Sequence, residues 1–255
     1  MPLGFEAAGV VTAVGADAAD DRGPLAVGDE VIAFRVSGAY AADLVVSDTA
    51  LTRKPAGLGW AEASGLLLAG ATAVHTLTAT SVAEGDTVLV HGAAGGVGLY
   101  AVQLAALRGA RVIGTANPRN HGLLRELGAE PVAYGEGLLD RVRALAPDGV
   151  DVALDLVGSD EAMDVSLALV ADRGRIASIA NFQRGPSEGI RLLGGGPGAD
   201  PGDDVRMAAR PELARLAGEG RLRVVVAATY PLDEAADANR AIATGHTTGK
   251  IALLV

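Results

Sequence analysis

Apolar positions along this chain fall into two rhythms. From residue 85 onward, short continuous apolar runs alternate with stretches whose apolar residues recur every three or four positions. The runs at 87–90, 111–115, 131–134, 151–155 and 175–179 predict buried strands, and the periodic stretches at 95–108, 119–127, 138–146 and 161–170 predict helices. Strands alternating with helices in this way indicate an α/β fold with a parallel, doubly wound sheet. Ahead of that region, residues 5–14, 27–34 and 38–47 read as strands with no helix between them, a β-rich unit. Residues 60–80 are rich in alanine and leucine and predict two helices broken near Gly70. Residues 193–204 hold too much glycine and proline for regular structure and predict a mobile loop. A helix over 210–220, a strand over 222–230, a helix over 232–243 and a last strand over 250–255 complete the pattern.

The first strand of the alternating region leads into its helix through an unusual turn. Val88, Leu89 and Val90 run into His91-Gly92-Ala93-Ala94-Gly95-Gly96-Val97-Gly98, and Val97, Ala101 and Leu104 then recur at helical spacing. Glycine lets the backbone turn sharply and come close to a ligand, while the start of a helix offers unpaired N–H groups and partial positive charge. The combination predicts a dinucleotide pyrophosphate site built from Gly92, Gly95, Gly96, Val97 and Gly98. The competing reading is an ordinary strand-to-helix turn, and the matching flanks weigh against it.

The second strand bears on which dinucleotide is bound. Sites for NAD carry Asp or Glu about 20 residues beyond the glycine turn, where it holds the ribose hydroxyls. Here the strand runs through Thr115 into Ala116-Asn117-Pro118-Arg119-Asn120, and no carboxylate appears before Glu126. An uncharged strand end followed by Arg119 suits the 2′-phosphate of NADP, so Thr115, Asn117, Arg119 and Asn120 are candidate binding residues. In the structural alternative, Asn117 caps a turn that has Pro118 in its first position and Arg119 faces water; capping and binding are compatible. Ligands of such sheets lie beyond the carboxyl ends of the strands. That rule adds Val157 and Gly158 after the fourth strand, and Ala180, Asn181 and Phe182 after the fifth, as neighbours of a nicotinamide. Asp155 reads as a strand end or turn cap rather than a general base.

Composition excludes several classes. The net charge of -10 opposes non-specific nucleic-acid binding. No apolar run reaches membrane-spanning length, and the first residues lack a basic segment followed by an apolar one, so a cytoplasmic protein is expected. With no cysteine there are no disulfides, thiolate zinc ligands or cysteine nucleophile. His75, His91, His121 and His246 are scattered without an i,i+4 pair, so no zinc site is expected, and His91 is expected to support the glycine turn. Asp17, Asp20 and Asp21 read as a solvated loop rather than a metal cluster.

Further motifs run through the chain in a fixed order. Gly4-Phe5-Glu6-Ala7-Ala8-Gly9-Val10-Val11 fits G-x-E-x-x-G-x-V; Val27-Gly28-Asp29-Glu30-Val31 fits V-G-D-x-V; Gly38-Ala39-Tyr40-Ala41 fits G-x-Y-A; Gly70-Ala71-Thr72-Ala73 fits G-x-T-A. The glycine turn, Leu127-Gly128-Ala129, Asp155-Leu156-Val157-Gly158 and Gly245-His246-Thr247-Thr248-Gly249-Lys250 follow. In this order they resemble the zinc-free quinone oxidoreductase branch of the medium-chain dehydrogenase/reductase superfamily.

The resemblance implies a Rossmann-type nucleotide domain over 71–224, inserted in a GroES-like β domain made of 1–70 and 225–255. It implies NADPH-dependent hydride transfer, without metal, to a small-molecule acceptor: a quinone or an α,β-unsaturated carbonyl. Thr72 is then expected on the nicotinamide side of the substrate cleft with Phe182, Tyr40 as a further candidate donor, and Tyr134 at the 2′-phosphate. Relatives pair sheet-edge strands into homodimers, which directs attention to residues 189–193. They also begin with several strands ahead of the G-x-E segment. By that comparison the β domain is incomplete, through a start taken at an internal methionine or through natural shortening, and its open edge calls for a covering strand. Two other functions stay open: enoyl reduction on a carrier-bound acyl chain, and a catalytically poor NADPH-binding protein.

Overall fold

The computed structural model describes residues 2–20, 22–245 and 247–255, so the readings made for Asp21 and His246 lie outside the described residues. The chain packs as two compact units, one of residues up to Ala71 together with Ala208–Val255, the other of Thr72–Met207. Residues 208–224, which the resemblance placed in the nucleotide domain, cluster with the first unit.

In the first unit, β1 (Glu6–Val10), β4 (Glu30–Phe34) and β5 (Leu51–Arg53) form an antiparallel sheet in the order β1-β4-β5. A minimal antiparallel pair, β2 (Ala19–Asp20) and β3 (Gly23–Pro24), lies between them in sequence. The central strand β4 buries Val31, Ile32, Ala33 and Phe34, the apolar run that marked it as a strand. Residues 38–47 form no strand. Gly38 has φ +86°, Val45 is fully exposed, and the backbone N–H groups of Ala39 and Tyr40 bond only back to Gly4 and Leu3. With no ladder to join, a strand-like composition stays irregular.

The helices α1 (Trp60–Ala63) and α2 (Leu67–Ala79) are separated at Ser64–Leu66, not at Gly70, which lies inside α2. Gly70 serves packing there: a Cβ at this position would stand 3.1 Å from a methyl of Leu213, so the missing side chain is the notch that admits the leucine. At the start of α2, a carboxylate oxygen of Glu6 accepts hydrogen bonds from the backbone N–H groups of Leu67 and Leu68. Burial nevertheless raises the Glu6 pKa to about 7, outweighing the pull of Lys250 and those two bonds.

The second unit is built on six strands: β6 (Thr87–His91), β7 (Arg111–Thr115), β8 (Ala129–Val132), β9 (Val152–Asp155), β10 (Ile176–Ser178) and β11 (Arg191–Leu192). All pair in parallel, in the order β11-β10-β9-β6-β7-β8. Connecting them are α3 (Gly98–Leu107), α4 (His121–Glu126), α5 (Leu138–Leu145), α6 (Asp160–Leu169) and the short α7 (Gly185–Glu188). Leu89, Ile113, Ala153 and Ile176 from neighbouring strands share one core with Val142 and Met163 from the helices. The expected α/β fold with its parallel sheet is therefore present. Successive strands are added on one side of β6 up to β8 and on its other side from β9 onward, and in such sheets this switch point places a crevice at the carboxyl end of the strand, here directly ahead of α3.

The glycine-rich stretch beyond β11 is folded back by an isolated parallel bridge between Leu193 and Asp200. The following helix, α8 (Asp203–Gly218), starts well ahead of residue 210; Asp203 and Asp204 in its first turn suit the positive end of the helix dipole. In the first unit, β12 (Val226–Pro231) and β13 (Lys250–Leu254) pair in parallel around α9 (Ala235–Ala243). No helix among the described residues is long and apolar enough to cross a membrane.

Candidate nucleotide-binding site

The glycine turn lies at the crevice and is anchored from β7. Gly92 donates its N–H to the Thr115 hydroxyl at 3.2 Å, and Ala93 donates to the Thr115 carbonyl at 3.0 Å. Gly92 takes φ +71°, a value that costs a side chain but not glycine. At Gly98, the first residue of α3, a Cβ would press on the carbonyl oxygen of Gly92 and stand 2.7 Å from the carbonyl carbon of Ala93. Strand end and helix start thus meet backbone to backbone. Val97 caps α3 without a side-chain hydrogen bond, and among the described residues no acceptor takes the N–H of Gly96, Val97 or Gly98. Free donors at the positive end of a ten-residue helix, behind a turn rich in glycine, fit a pyrophosphate.

Behind the turn, His91 is buried with its Nε2 unpartnered among the described residues. Desolvation drives its pKa down to about 4 against the opposing pull of Asp155, so the imidazole is neutral. Asp155 is fully buried at the end of β9. It accepts from the Ser178 hydroxyl at 2.7 Å and from the backbone N–H groups of Val157 at 3.1 Å and Gly158 at 2.7 Å. Every bond it makes is a turn-shaping one, in keeping with a strand end.

The residues read for the adenosine end come from the neighbouring ends of β7 and β8. Asn117 accepts from the Arg119 N–H at 3.1 Å and caps a single 3-10 turn, with Pro118 next. The cap occupies only the backbone of Arg119, whose residue is exposed. Asn120 closes the same turn, donating its N–H to the Asn117 carbonyl at 2.9 Å. Tyr134, expected at the end of a buried strand over 131–134, lies beyond β8, which stops at Val132, and is half exposed on the turn that follows. Arg141 holds this turn from beneath, donating to the carbonyls of Ala133, Gly135 and Glu136 at 2.7–3.1 Å, while the Glu161 carboxylate accepts the Gly135 N–H.

Among the residues read for the nicotinamide end, Val157, Gly158, Ala180 and Asn181 follow β9 and β10 at the carboxyl edge of the sheet. Asn181 is buried and accepts from the Arg184 N–H. The Phe182 ring lies so close to Gly196 that a Cβ there would meet its Cδ1, and it packs on the core of its own unit. Thr72 is buried in α2. Tyr40 belongs to the other unit, partly exposed, its ring against Gly4. His75, which no motif singled out, is buried with its Nε2 3.2 Å from Asp200 and its Nδ1 accepting from Arg206. Among the described residues no group of three or more His, Asp or Glu side chains is arranged to hold a metal.

The family model for zinc-binding dehydrogenases matches residues 127–253. The quinone oxidoreductase of Pseudomonas aeruginosa is 35% identical over 272 residues, covering 99% of this chain and 81% of that protein. The chain belongs to the quinone oxidoreductase-like branch of the medium-chain dehydrogenase/reductase superfamily. Solved members of this superfamily have the same architecture. The quinone oxidoreductase of Escherichia coli, solved in complex with NADPH, superimposes with a TM-score of 0.84 at 27% identity, covering 99% of this chain and 82% of its own. The CurK enoyl reductase gives a TM-score of 0.84 at 26% identity, covering 100% and 80%. Membership confirms the resemblance carried by the ordered motifs and makes the chain an oxidoreductase of the superfamily.

Proposed function

We propose that the protein binds NADPH and reduces a quinone or an α,β-unsaturated carbonyl without a metal. The observation that carries the reading is the glycine-rich turn before α3, with its unclaimed N–H groups, followed by a second strand that ends without a carboxylate. Gly92, Gly95, Gly96, Val97 and Gly98 would hold the pyrophosphate, and Thr115 keeps that turn in place. Asn117, Arg119, Asn120 and Tyr134 would hold the 2′-phosphate end, and Val157, Gly158, Ala180 and Asn181 the nicotinamide end. A nicotinamide held there would supply the hydride, from its C4, for an electron-poor carbon of the acceptor. The chain's own part is orientation and exclusion of water, with Thr72 and Phe182 toward the acceptor and Tyr40 a candidate donor to its oxygen. The unit of residues 2–71 and 208–255 takes the role of the GroES-like domain. The reading includes a cytoplasmic homodimer formed through the sheet edge at β11.

Arg119→Ala tests the cofactor preference, because truncation leaves the Asn117 cap on the backbone intact. NADPH affinity is expected to fall about tenfold, the worth of one charge-assisted hydrogen bond, with NADH affinity unchanged. Titration of the single Trp60 emission reads both; equal losses for the two dinucleotides would sink the assignment of Arg119 to the 2′-phosphate.

The similarity to the CurK enoyl reductase supports a second reading, reduction of enoyl thioesters. Oxidation of NADPH followed at 340 nm separates the two. Turnover with simple quinones and none with enoyl thioesters is the expected result, and the reverse would favour the second. NADPH binding without turnover on either panel would leave a nucleotide-binding protein.

A further inference from the structure

We infer that Asp155 and Ser178 form a buried positioning pair that sets the spacing of the three ligand-facing segments after β6, β9 and β10. The inference rests on the nucleotide reading above. Both side chains are fully buried and paired in register across adjacent strands. The Asp155 carboxylate divides its two oxygens: one accepts from Val157 and Gly158, the other from the Ser178 hydroxyl. The Ser178 oxygen in turn accepts from the N–H groups of Ala180 at 3.2 Å and Asn181 at 2.9 Å. A serine hydroxyl has one proton and two lone pairs. With its proton committed to Asp155, both lone pairs are free for those two N–H groups. One carboxylate therefore fixes the turn after β9 directly and the turn after β10 through a single oxygen.

The two turns also touch. A Cβ on Gly158 would stand 2.9 Å from the Cβ of Ala180, and one on Gly92 would stand 3.3 Å from the Cβ of Val157. The glycine turn, residues 157–158 and residues 180–181 are thus stacked in order along the edge of the sheet. Any shift at Asp155 moves the second and third relative to the first. Asp155 is then a positioning residue, not a proton carrier: all its bonds are to groups that shape turns. Misplacing reacting parts by about 1 Å costs on the order of 100-fold in rate, so such spacing matters chemically.

Asp155→Asn is the discriminating substitution. An amide can still accept from Val157 and Gly158, but its NH2 faces the Ser178 hydroxyl as a second donor, so the serine must turn and give up an acceptor position. The amides of Ala180 and Asn181, which Asp155 does not touch, are expected to lose hydrogen-exchange protection at least about tenfold. Binding of adenosine 2′,5′-bisphosphate, a probe of the other half of the site, should stay within about twofold of wild type, while the change in NADPH nicotinamide emission on binding is reduced. Ser178→Ala should give the same emission defect, and the double variant no more than the worse single one. Should Asp155→Asn fail to fold, Ser178→Ala, which removes one oxygen, gives the same readings. Unchanged protection and emission in folded variants would overturn the pair; so would parallel losses of bisphosphate binding, the mark of a general scaffold. Failure of wild type to bind NADPH or the bisphosphate would instead sink the nucleotide reading.

Discussion

Gly98→Ala is expected to lower NADPH affinity about 100-fold, or to cost about 3 kcal/mol of stability if the turn yields instead. The added carbon has no room. It meets the backbone of Gly92 and Ala93, which cannot rotate away as a side chain would, and that backbone is itself tied to Thr115. Overpacking against fixed atoms costs about 1–3 kcal/mol, and about 1.4 kcal/mol corresponds to a factor of ten in binding. A matched control is Gly195→Ala, where nothing lies within 4 Å of the new carbon and both quantities should stay put. Trp60 titrations and thermal melts on the two variants separate lost binding from lost folding. A folded Gly98→Ala protein that binds NADPH within threefold of the parent would show that close backbone approach is not what the turn provides.

The second large effect concerns pH, and it is hidden in the parent protein. His91 titrates near 4 when folded against an ordinary 6.5. Between those values the unfolded chain takes up a proton the folded one refuses, so stability falls as pH drops from 6.5 to 4. Glu6 behaves oppositely, titrating near 7 when folded against an ordinary 4.5. Here the folded chain holds the proton more tightly, so its contribution is complete below 4.5 and is lost as pH rises toward 7. Each window is worth about 3 kcal/mol at ~1.4 kcal/mol per pH unit. From pH 4.5 to 6.5 the two slopes oppose each other and the parent profile should be nearly flat. His91→Gln should expose the Glu6 slope, with stability falling as pH rises; Glu6→Gln should expose the His91 slope, with stability climbing to pH 6.5. Urea midpoints from circular dichroism at half-unit pH steps measure both. Two variants with the same profile as the parent would refute the account.

How much of this could be read from the residues depends on the range of the interactions involved. The central strands of the parallel sheet are buried on both faces, so unbroken apolar runs such as Val88–Val90 and Val152–Leu154 announced them. The glycine turn was equally legible, because its geometry is local and glycine is its cause. Residues 38–47 misled because a strand needs a partner, and composition does not tell whether one lies alongside; among the described residues none does. Gly70 misled because its glycine answers a leucine more than a hundred positions away. Among the site residues, the Asn117 cap was visible as Asn-Pro. The Ser178 bridge and the Arg141 grip on the Tyr134 turn had no local signature, since each depends on the sheet bringing distant positions together.

The notch at Gly70 has a bearing on how this sequence can drift. A larger residue at 70 would displace the methyls of Leu213, and a smaller residue at 213 would leave a void above the glycine. Substitutions at either site alone are disfavoured, whereas a compensated exchange of bulk preserves the fit. The two positions are bound to change together or not at all, so in descendants of this chain each serves as a record of the other.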